Sequence, residues 1–462
     1  MEILKKLAKD TILEKCGRIL SSIIPYKYRV LNKEFFNFLN LLLENERKLY
    51  DEIKEYQFMK MKKLINEAYN YSDFYKEKFD QYFFHPSLLK NYDDIKKIPT
   101  LTREEVRKYG ENIVLSNYKK QLHKSFTSGT TGKSLRIYRD KRTFFREWAS
   151  ICYQWERVGF KPGDGRVQFR GFIDSNDLYI NIPDEKVLRI NIIKMSKQNI
   201  EKIVNKIRNK NYRFFHGYPS AIYKFSRLIQ EANIEIKPDA IMMASEVLYD
   251  WQMQVIDETF SFAKKISHYG QAEKVALGAW TNKRKYSFIP SYGLLEYDKK
   301  TNEMIGTGFI NEIMPLIRYR LTDSVESFSE KPVDSNLMLF PVIDKIVGRQ
   351  EDYTYDIEGN LITPAVVTFP FKHLKHISAC KIIQESLTDF ELIIESDKTS
   401  NSIKEAEQIV NDLKKIYGDR ANIFYKFTDK IPVGRTGKFK WIECKFGQNR
   451  KNESEKSKTY EF

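Results

Sequence analysis

Between Ser125 and Ser134 the chain reads SFTSGTTGKS. Four hydroxyl side chains (Thr127, Ser128, Thr130, Thr131), two glycines (Gly129, Gly132) and Lys133 fall in seven consecutive positions. Glycine tolerates φ > 0 and lets the backbone come close to a ligand, so such a loop can turn its N–H groups inward. Inward amides, hydroxyl donors and an ammonium together suit a polyphosphate. The loop is not a Walker A element, because G-x-x-x-x-G-K-[ST] would need glycine where Thr127 stands. A stretch of this composition can also be an ordinary surface loop. The density of donors and the Gly-Lys-Ser ending favour phosphate.

The elements that must hold this loop lie on either side of it. IPTLTREEVRKYG (98–110) is predicted as a capped helix, with Thr102 ahead of Arg103-Glu104-Glu105 and carboxylates in the first turn, where the helix dipole favours them. A strand is expected at Ser134–Tyr138. From Thr143 to about Pro341, helical stretches near Phe144–Val158, Lys197–Asn209, Ser220–Ala232 and Asp250–Phe260 alternate with apolar runs. The runs include Arg213–Phe215, Ala240–Ala244 and Lys265–His268. Such alternation predicts a layered α/β domain.

Upstream, Asn32 to about Phe79 is rich in Leu, Phe and Tyr and free of Gly and Pro, which predicts a helical region ended by Pro86. Residues 1–24 place Ile12, Leu13, Cys16, Ile19, Leu20, Ile23 and Ile24 at helical spacing, with the basic residues mostly off that stripe. This predicts a basic amphipathic helix that closes over the protein's own core or lies on a membrane surface. Downstream, IVGRQEDYTYDIEGNLITP (346–364) reads as a domain junction with a hairpin turned by Glu358-Gly359-Asn360. A smaller α+β unit follows, with strands near Cys380–Gln384, Glu391–Glu395 and Ile423–Phe427 and a helix at Ile403–Tyr417.

The 462 residues are too many for one ordinary core, so two domains or more are expected. The net charge of +16 would suit nucleic acid or an anionic surface. Because the lysines and arginines are spread along the chain, a solvated basic surface is the preferred reading. Cys16, Cys152, Cys380 and Cys444 stand far apart without C-x-x-C or Cys/His metal spacing, which argues against a disulfide framework or structural zinc and fits a reducing cytoplasm. No apolar run reaches the roughly 18–20 residues of a membrane span. The N-terminus also lacks an apolar core of the signal-peptide kind.

Activating a carboxylate with ATP brings two anions together while pyrophosphate leaves, so it needs cations, Mg²⁺ and a grip on the nucleoside. Five stretches, taken in order, resemble the adenylate-forming superfamily of acyl-CoA ligases, luciferases and adenylation domains. Through that resemblance, Thr127, Ser128, Gly129, Thr130, Thr131, Gly132 and Lys133 are implied to surround the β- and γ-phosphates. HYGQAE (268–273) is similar to Tyr-Gly-x-Thr-Glu, which implies Glu273 as the Mg²⁺ ligand and Tyr269-Gly270 beside the adenine. Ala272 there departs from the usual hydroxyl residue. PLIRYRLTDSV (315–325) resembles Tyr-Arg-Thr-Gly-Asp and implies Asp323 on the ribose hydroxyls, with Leu321-Thr322 a departure. VGRQED (347–352) implies Arg349 on ribose or phosphate and Glu351 at the hinge. IPVGRTGKFKW (431–441) implies Lys438 as the lysine bridging substrate carboxylate and α-phosphate. Each stretch alone is ordinary; the ordered set carries the reading.

The resemblance implies an α/β fold with a large multi-layer N-terminal domain, helices packed on sheets, and a small mobile α+β C-terminal domain. The expected divisions are 1–95 (helical region of the large domain), 96–347 (large adenylate-forming domain), 348–352 (hinge), 353–446 (small domain) and 447–462 (charged tail). NEAYNYSDFYKEKF, FFHGYPSAIYKFSRLI, MMASEVL and the KFKW ending look most like the branch of phenylacetate–CoA ligases and CapK-type capsular polysaccharide proteins, leaning to the latter. This implies a small carboxylic acid, ATP and Mg²⁺, with CoA or an amino or hydroxyl sugar as acceptor, in a cytoplasmic enzyme. His216, Tyr218, Ser245, Glu246 and His268 are candidates for the acid pocket. Their structural alternatives are a turn at Gly217–Pro219 and a helix start at Glu246. Other readings are an arylacetate–CoA ligase of catabolism, a basic nucleic-acid-binding protein without ATP chemistry, and a membrane-recruited scaffold with a dead ATP site. Retention of Glu273, Asp323 and Lys438 argues against the last.

Overall fold

The segment AIMMA at Ala240–Ala244 is buried at all of its positions, as a strand covered on both faces must be. It lies inside a nine-stranded sheet in a computed structural model that describes residues 26–126, 135–169, 177–192, 194–332, 337–349, 353–362, 364–368, 370–371, 374–433 and 439–445. Five neighbouring strands run parallel, in the order Lys264–Gly270, Ala240–Ala244, Phe214–Gly217, Arg166–Phe169 and Val187–Ile190. Antiparallel strands complete both sides: Tyr179–Ile182 at one, and Leu277–Trp280 and Tyr286–Phe288 followed by Val342–Ile343 at the other.

Helices Lys141–Glu156, Ile200–Lys210, Pro219–Glu231 and Asp250–Thr259 alternate with these strands, within a few residues of their expected places. The predicted strand after the phosphate loop is Arg136–Arg139, paired antiparallel with His123–Phe126. The single helical region expected upstream is three helices, Lys33–Asn45, Tyr50–Tyr71 and Asp73–Gln81. Ser72 makes the last break by capping Tyr75 through its hydroxyl.

A second, antiparallel sheet orders Gly293–Asp298, Glu303–Gly308, Tyr319–Glu326 and Lys345–Arg349. A third orders Asn422–Thr428, Asp389–Glu395, Ala379–Gln384 and Ile442–Cys444, backed by helix Ser400–Tyr417. The strand Ile442–Cys444 was not anticipated. It is three residues long and has no period to read. One hydrophobic core runs from the nine-stranded sheet into the third sheet, where Trp251 and Trp441 meet edge to face at 5.0 Å. Among the described residues no helix is long and apolar enough to cross a membrane. The helix expected at 1–24 and the tail from Gly447 lie outside the described residues.

Candidate active site

Two strands from different sheets are tied together where the second and third sequence motifs meet. The Tyr269 phenol donates to Asp323 Oδ2. Gln271 Nε2 donates to the same phenol oxygen at 2.7 Å and Gln271 Oε1 accepts from the Ala276 N–H at 3.2 Å. One turn onward, the Tyr319 hydroxyl lies 3.5 Å from Glu273 Oε1, and Arg103 Nη1 sits 3.2 Å from that oxygen. Asp323 is paired in register with Arg349 on the next strand, so the third and fourth motifs are neighbours as well.

Local sequence explains why Glu273 is held. The cap at Thr102 forms as predicted, with the Glu105 N–H donating to Thr102 Oγ1 and Glu105 Oε2 accepting from the Thr102 N–H at 2.8 Å. Glu105 also pairs with Lys78. Burial pulls the Glu105 carboxyl upward, but the bonds from Lys78 and Thr102 outweigh it and leave it below the ordinary carboxylate range. This fixed first turn presents Arg103 to Glu273. On the other side, residues 274–276 pass so close over the second sheet that side chains are excluded beneath them. A Cβ on Gly308 would lie 2.5 Å from the Lys274 carbonyl oxygen, and one on Gly293 2.1 Å from that of Val275. Lys274 itself pairs with Glu147 of helix Lys141–Glu156.

Glu273 and Asp323 are nearly buried, at 5% and 7% exposure, yet neither belongs to a cage of three or more metal-ligating side chains among the described residues. That fits Mg²⁺, which is usually held by one or two carboxylates together with substrate phosphates. Glu273 already carries the Arg103 guanidinium as its ion-pair partner.

The expected acid-pocket residues lie at the carboxyl ends of the parallel strands, where ligands bind in open α/β sheets. His216 is in register with Gln168 and Met242, and His268 with Ala244 and Ala279. The two imidazoles are near-parallel, with centroids 6.3 Å apart. Trp155 packs at 4.7 Å from His216 and donates its indole N–H to His268 Nδ1 at 3.3 Å. By that geometry a neutral His268 carries its proton on Nε2. Tyr218 is buried at the start of helix Pro219–Glu231. Ser245 has φ +72°, directly after the central strand. The helix start considered at Glu246 is instead at Asp250. Glu246 points at a different helix, accepting from Ser220 N at 3.1 Å, and also accepts from Phe439 N at 3.1 Å.

Residues 354–445 match the family model described as the CapK C-terminal domain. Protein CapK of Staphylococcus aureus is 25% identical over 413 residues, covering 84% of this chain and 90% of that protein. The phenylacetate–coenzyme A ligase of Pseudomonas putida is 23% identical over 352 residues, 71% of this chain and 77% of that enzyme. The chain is a homologue of CapK and the phenylacetate–CoA ligases. The fold is that of 2-hydroxyisobutyryl-CoA ligase, an adenylate-forming enzyme solved in its postadenylation state with R3-HIB-AMP. That structure matches at a TM-score of 0.68 with 15% identity, covering 89% of this chain and 94% of that one. The same enzyme in its thioesterification state, with 2-HIB-AMP and CoA, matches at 0.54.

The expected phosphate loop 127–133, the expected hinge residue Glu351 and Lys438 lie outside the described residues, and only the backbone of Arg349 is described. Their flanks are described. The hairpin that carries the loop is anchored by Asn311 Nδ2 donating to the Tyr138 carbonyl at 2.9 Å, four residues before the third motif. Phe439, next to Lys438, is the residue bonded to Glu246. Gly348, at the start of the expected hinge, has φ +122°, and a Cβ there would lie 3.6 Å from Val247. Arg103, Gln271, Tyr319 and Trp155 were not expected at the site. Gln271 and Tyr319 lay inside quoted motifs and Arg103 in the first turn of the predicted capped helix, but Trp155 is brought in from a remote helix with no local signal.

Proposed function

We propose that the chain is an ATP-dependent ligase that activates a small carboxylic acid as its acyl-adenylate and then transfers the acyl group. The observation that carries this reading is the pair of ties between strands, Tyr269 to Asp323 and Glu273 to Tyr319 with Arg103. They join motifs about 50 residues apart into one wall that carries the Glu273 and Asp323 carboxylates. Homology to phenylacetate–CoA ligases supports the AMP-forming chemistry.

In the first step a carboxylate oxygen attacks the α-phosphorus of ATP, and the bond to pyrophosphate breaks. Mg²⁺, when bound with ATP, supplies charge neutralisation on the phosphates. Glu273 would hold it, with Arg103 and Tyr319 keeping that carboxylate in place. Asp323 accepts ribose hydroxyls while Tyr269 fixes its orientation, and residues 127–133 cradle the β- and γ-phosphates. Lys438 bridges the two reacting anions. In the second step the acceptor attacks the acyl carbon and AMP leaves. Rotation of residues 353–446 about 348–352 would withdraw Lys438 between the steps. His216, Tyr218, Ser245, Glu246 and His268 would line the acid site.

The CapK match spans more of the chain than the phenylacetate ligases do, which supports the CapK-type branch; the resemblance to that branch implies surface-glycan synthesis with a sugar amine or hydroxyl as acceptor. The second reading, thioester formation with CoA, is favoured by the names of the phenylacetate–CoA ligases. Acid-dependent ATP–pyrophosphate exchange across a panel of carboxylic acids, followed by mass analysis of products with CoA or amino sugars, tests both. At least one acid should support exchange. A panel with none, alongside salt-dependent binding of DNA or RNA, would replace the enzyme with the nucleic-acid reading.

A further inference from the structure

We propose that Trp155 is a positioning residue that makes His268 a neutral N–H donor. The acid site is thereby built for a carboxylic acid with a neutral oxygen beside its carboxylate, a hydroxy or keto acid. The ligand class rests on the acyl-adenylate reading above; the state of His268 does not. Trp155 lies on helix Lys141–Glu156, is 1% exposed, and has only a donor to offer, its indole N–H. That N–H points at His268 Nδ1 at 3.3 Å. Nδ1 is then the lone-pair nitrogen, since an N–H there would meet another N–H. An imidazolium, with N–H on both nitrogens, is disfavoured for the same reason. Whatever else the ring touches, Nε2 can only donate.

The indole is itself aimed by packing. It meets Trp148 at 5.7 Å, Phe160 at 5.1 Å and His216 at 4.7 Å, each edge to face. His268 is half-buried, directly before the Tyr269-Gly270 motif, and its in-register neighbours are Ala244 and Ala279. In-register residues share a face of the sheet, so only methyl groups flank the imidazole there. A site meant to hold the carboxylate through this ring would gain from an imidazolium, whose hydrogen bonds are roughly twice as strong. Trp155 forgoes that gain. A neutral donor suits a neutral acceptor. An α-ammonium group has no lone pair to accept the N–H, and a hydrocarbon acid leaves it unpaired.

The state of His268 is read on the full chain without ligand, by two-bond proton–nitrogen correlation of isotopically labelled histidine at about pH 8, above the ordinary histidine range. The signal is assigned by its loss in His268→Gln. The parent should show the Nε2–H form alone, and Trp155→Phe should bring in the Nδ1–H form. An Nδ1–H or doubly protonated ring in the parent, or an unchanged spectrum in Trp155→Phe, would overturn the role of Trp155 whatever reaction the protein performs. Pyrophosphate exchange with size-matched acids tests the ligand class. A hydroxy or keto acid should exceed its amino and hydrocarbon analogues by about 10-fold or more in kcat/KM. Trp155→Phe should cut that preference about 10-fold, the scale of one hydrogen bond. A glutamine amide N–H reaches about as far as Nε2 and needs no indole to orient its proton. His268→Gln should therefore keep part of the preference, and adding Trp155→Phe to it should change nothing further. A parent that prefers the amino or hydrocarbon acid would overturn the ligand class. A Trp155→Phe effect equally large in the His268→Gln background would overturn action through His268. Should Trp155→Phe fail to fold, His268→Asn, whose amide ends near the Nδ1 position, should lose the preference that His268→Gln keeps; equal loss in both would overturn the proposal.

Discussion

On the nucleotide side of the site, Gln271, Tyr269 and Asp323 form a relay, and Glu273 is gripped by Arg103 and Tyr319, all within the large lobe. On the lobe-facing side, different elements touch through separable contacts: Glu246 with Phe439, Lys224 with Glu395, and Trp251 with Trp441. The first wall has several groups sharing partners, so loosening one disturbs the others. The second has contacts spread over remote residues that can be lost singly. The proposed two-step reaction, which keeps a nucleotide in place while the small lobe moves, would use this asymmetry.

The comparison can be broken most sharply at Lys438. Lys438→Ala should cut adenylation by about 100-fold or more, the scale of losing a transition-state cation, and leave ATP affinity nearly unchanged. Equal single-turnover rates in mutant and parent would remove it from the mechanism. Gly308→Ala attacks the fixed wall by pushing on the Lys274 carbonyl. It should cost about 1–3 kcal/mol in urea unfolding, as overpacking does. An unmoved midpoint would show that 274–276 can lift away freely.

Tyr269→Phe removes one link of the relay and should raise the KM for ATP about 10-fold, the effect of losing a hydrogen bond to an ionised group. A lower kcat at unchanged KM would place that bond in the chemical step instead. The smallest effect is expected at Glu105→Gln. Because its partners hold the folded carboxyl below the ordinary range, Glu105 contributes stability that is fully present above that range. This contribution is lost as pH falls through the folded value. The variant should be less stable than the parent at neutral pH and converge with it in acid. A pH-independent difference would assign the loss to packing.

Much of the architecture was legible because it is local. Ala240–Ala244 has only apolar residues and matches its strand end to end. Thr102 with Glu105 marks a helix start through contacts three residues apart, and Gly359 marks the turn between Thr354–Tyr355 and Leu361–Ile362. The boundary at Ser72 was hidden because a hydroxyl in a polar, aromatic stretch gives no break in pattern. The nearness of 268–273, 315–325 and 347–352 was implied by resemblance rather than by anything in their own composition.

Residue order alone therefore marked 127–133 as a stretch suited to phosphate, because its hydroxyls, glycines and lysine are adjacent, while the expected ribose and metal residues came from resemblance. It also determined the alternation of helix and strand, because burial periodicity is written at short range. Only tertiary structure decided that Arg103 would rest on Glu273, 170 residues away, and that Trp155 would fix the tautomer of His268. Only it turned Glu246 towards the backbone beside Lys438. Contacts between remote elements depend on where whole sheets and helices pack, and no short stretch of chain encodes that.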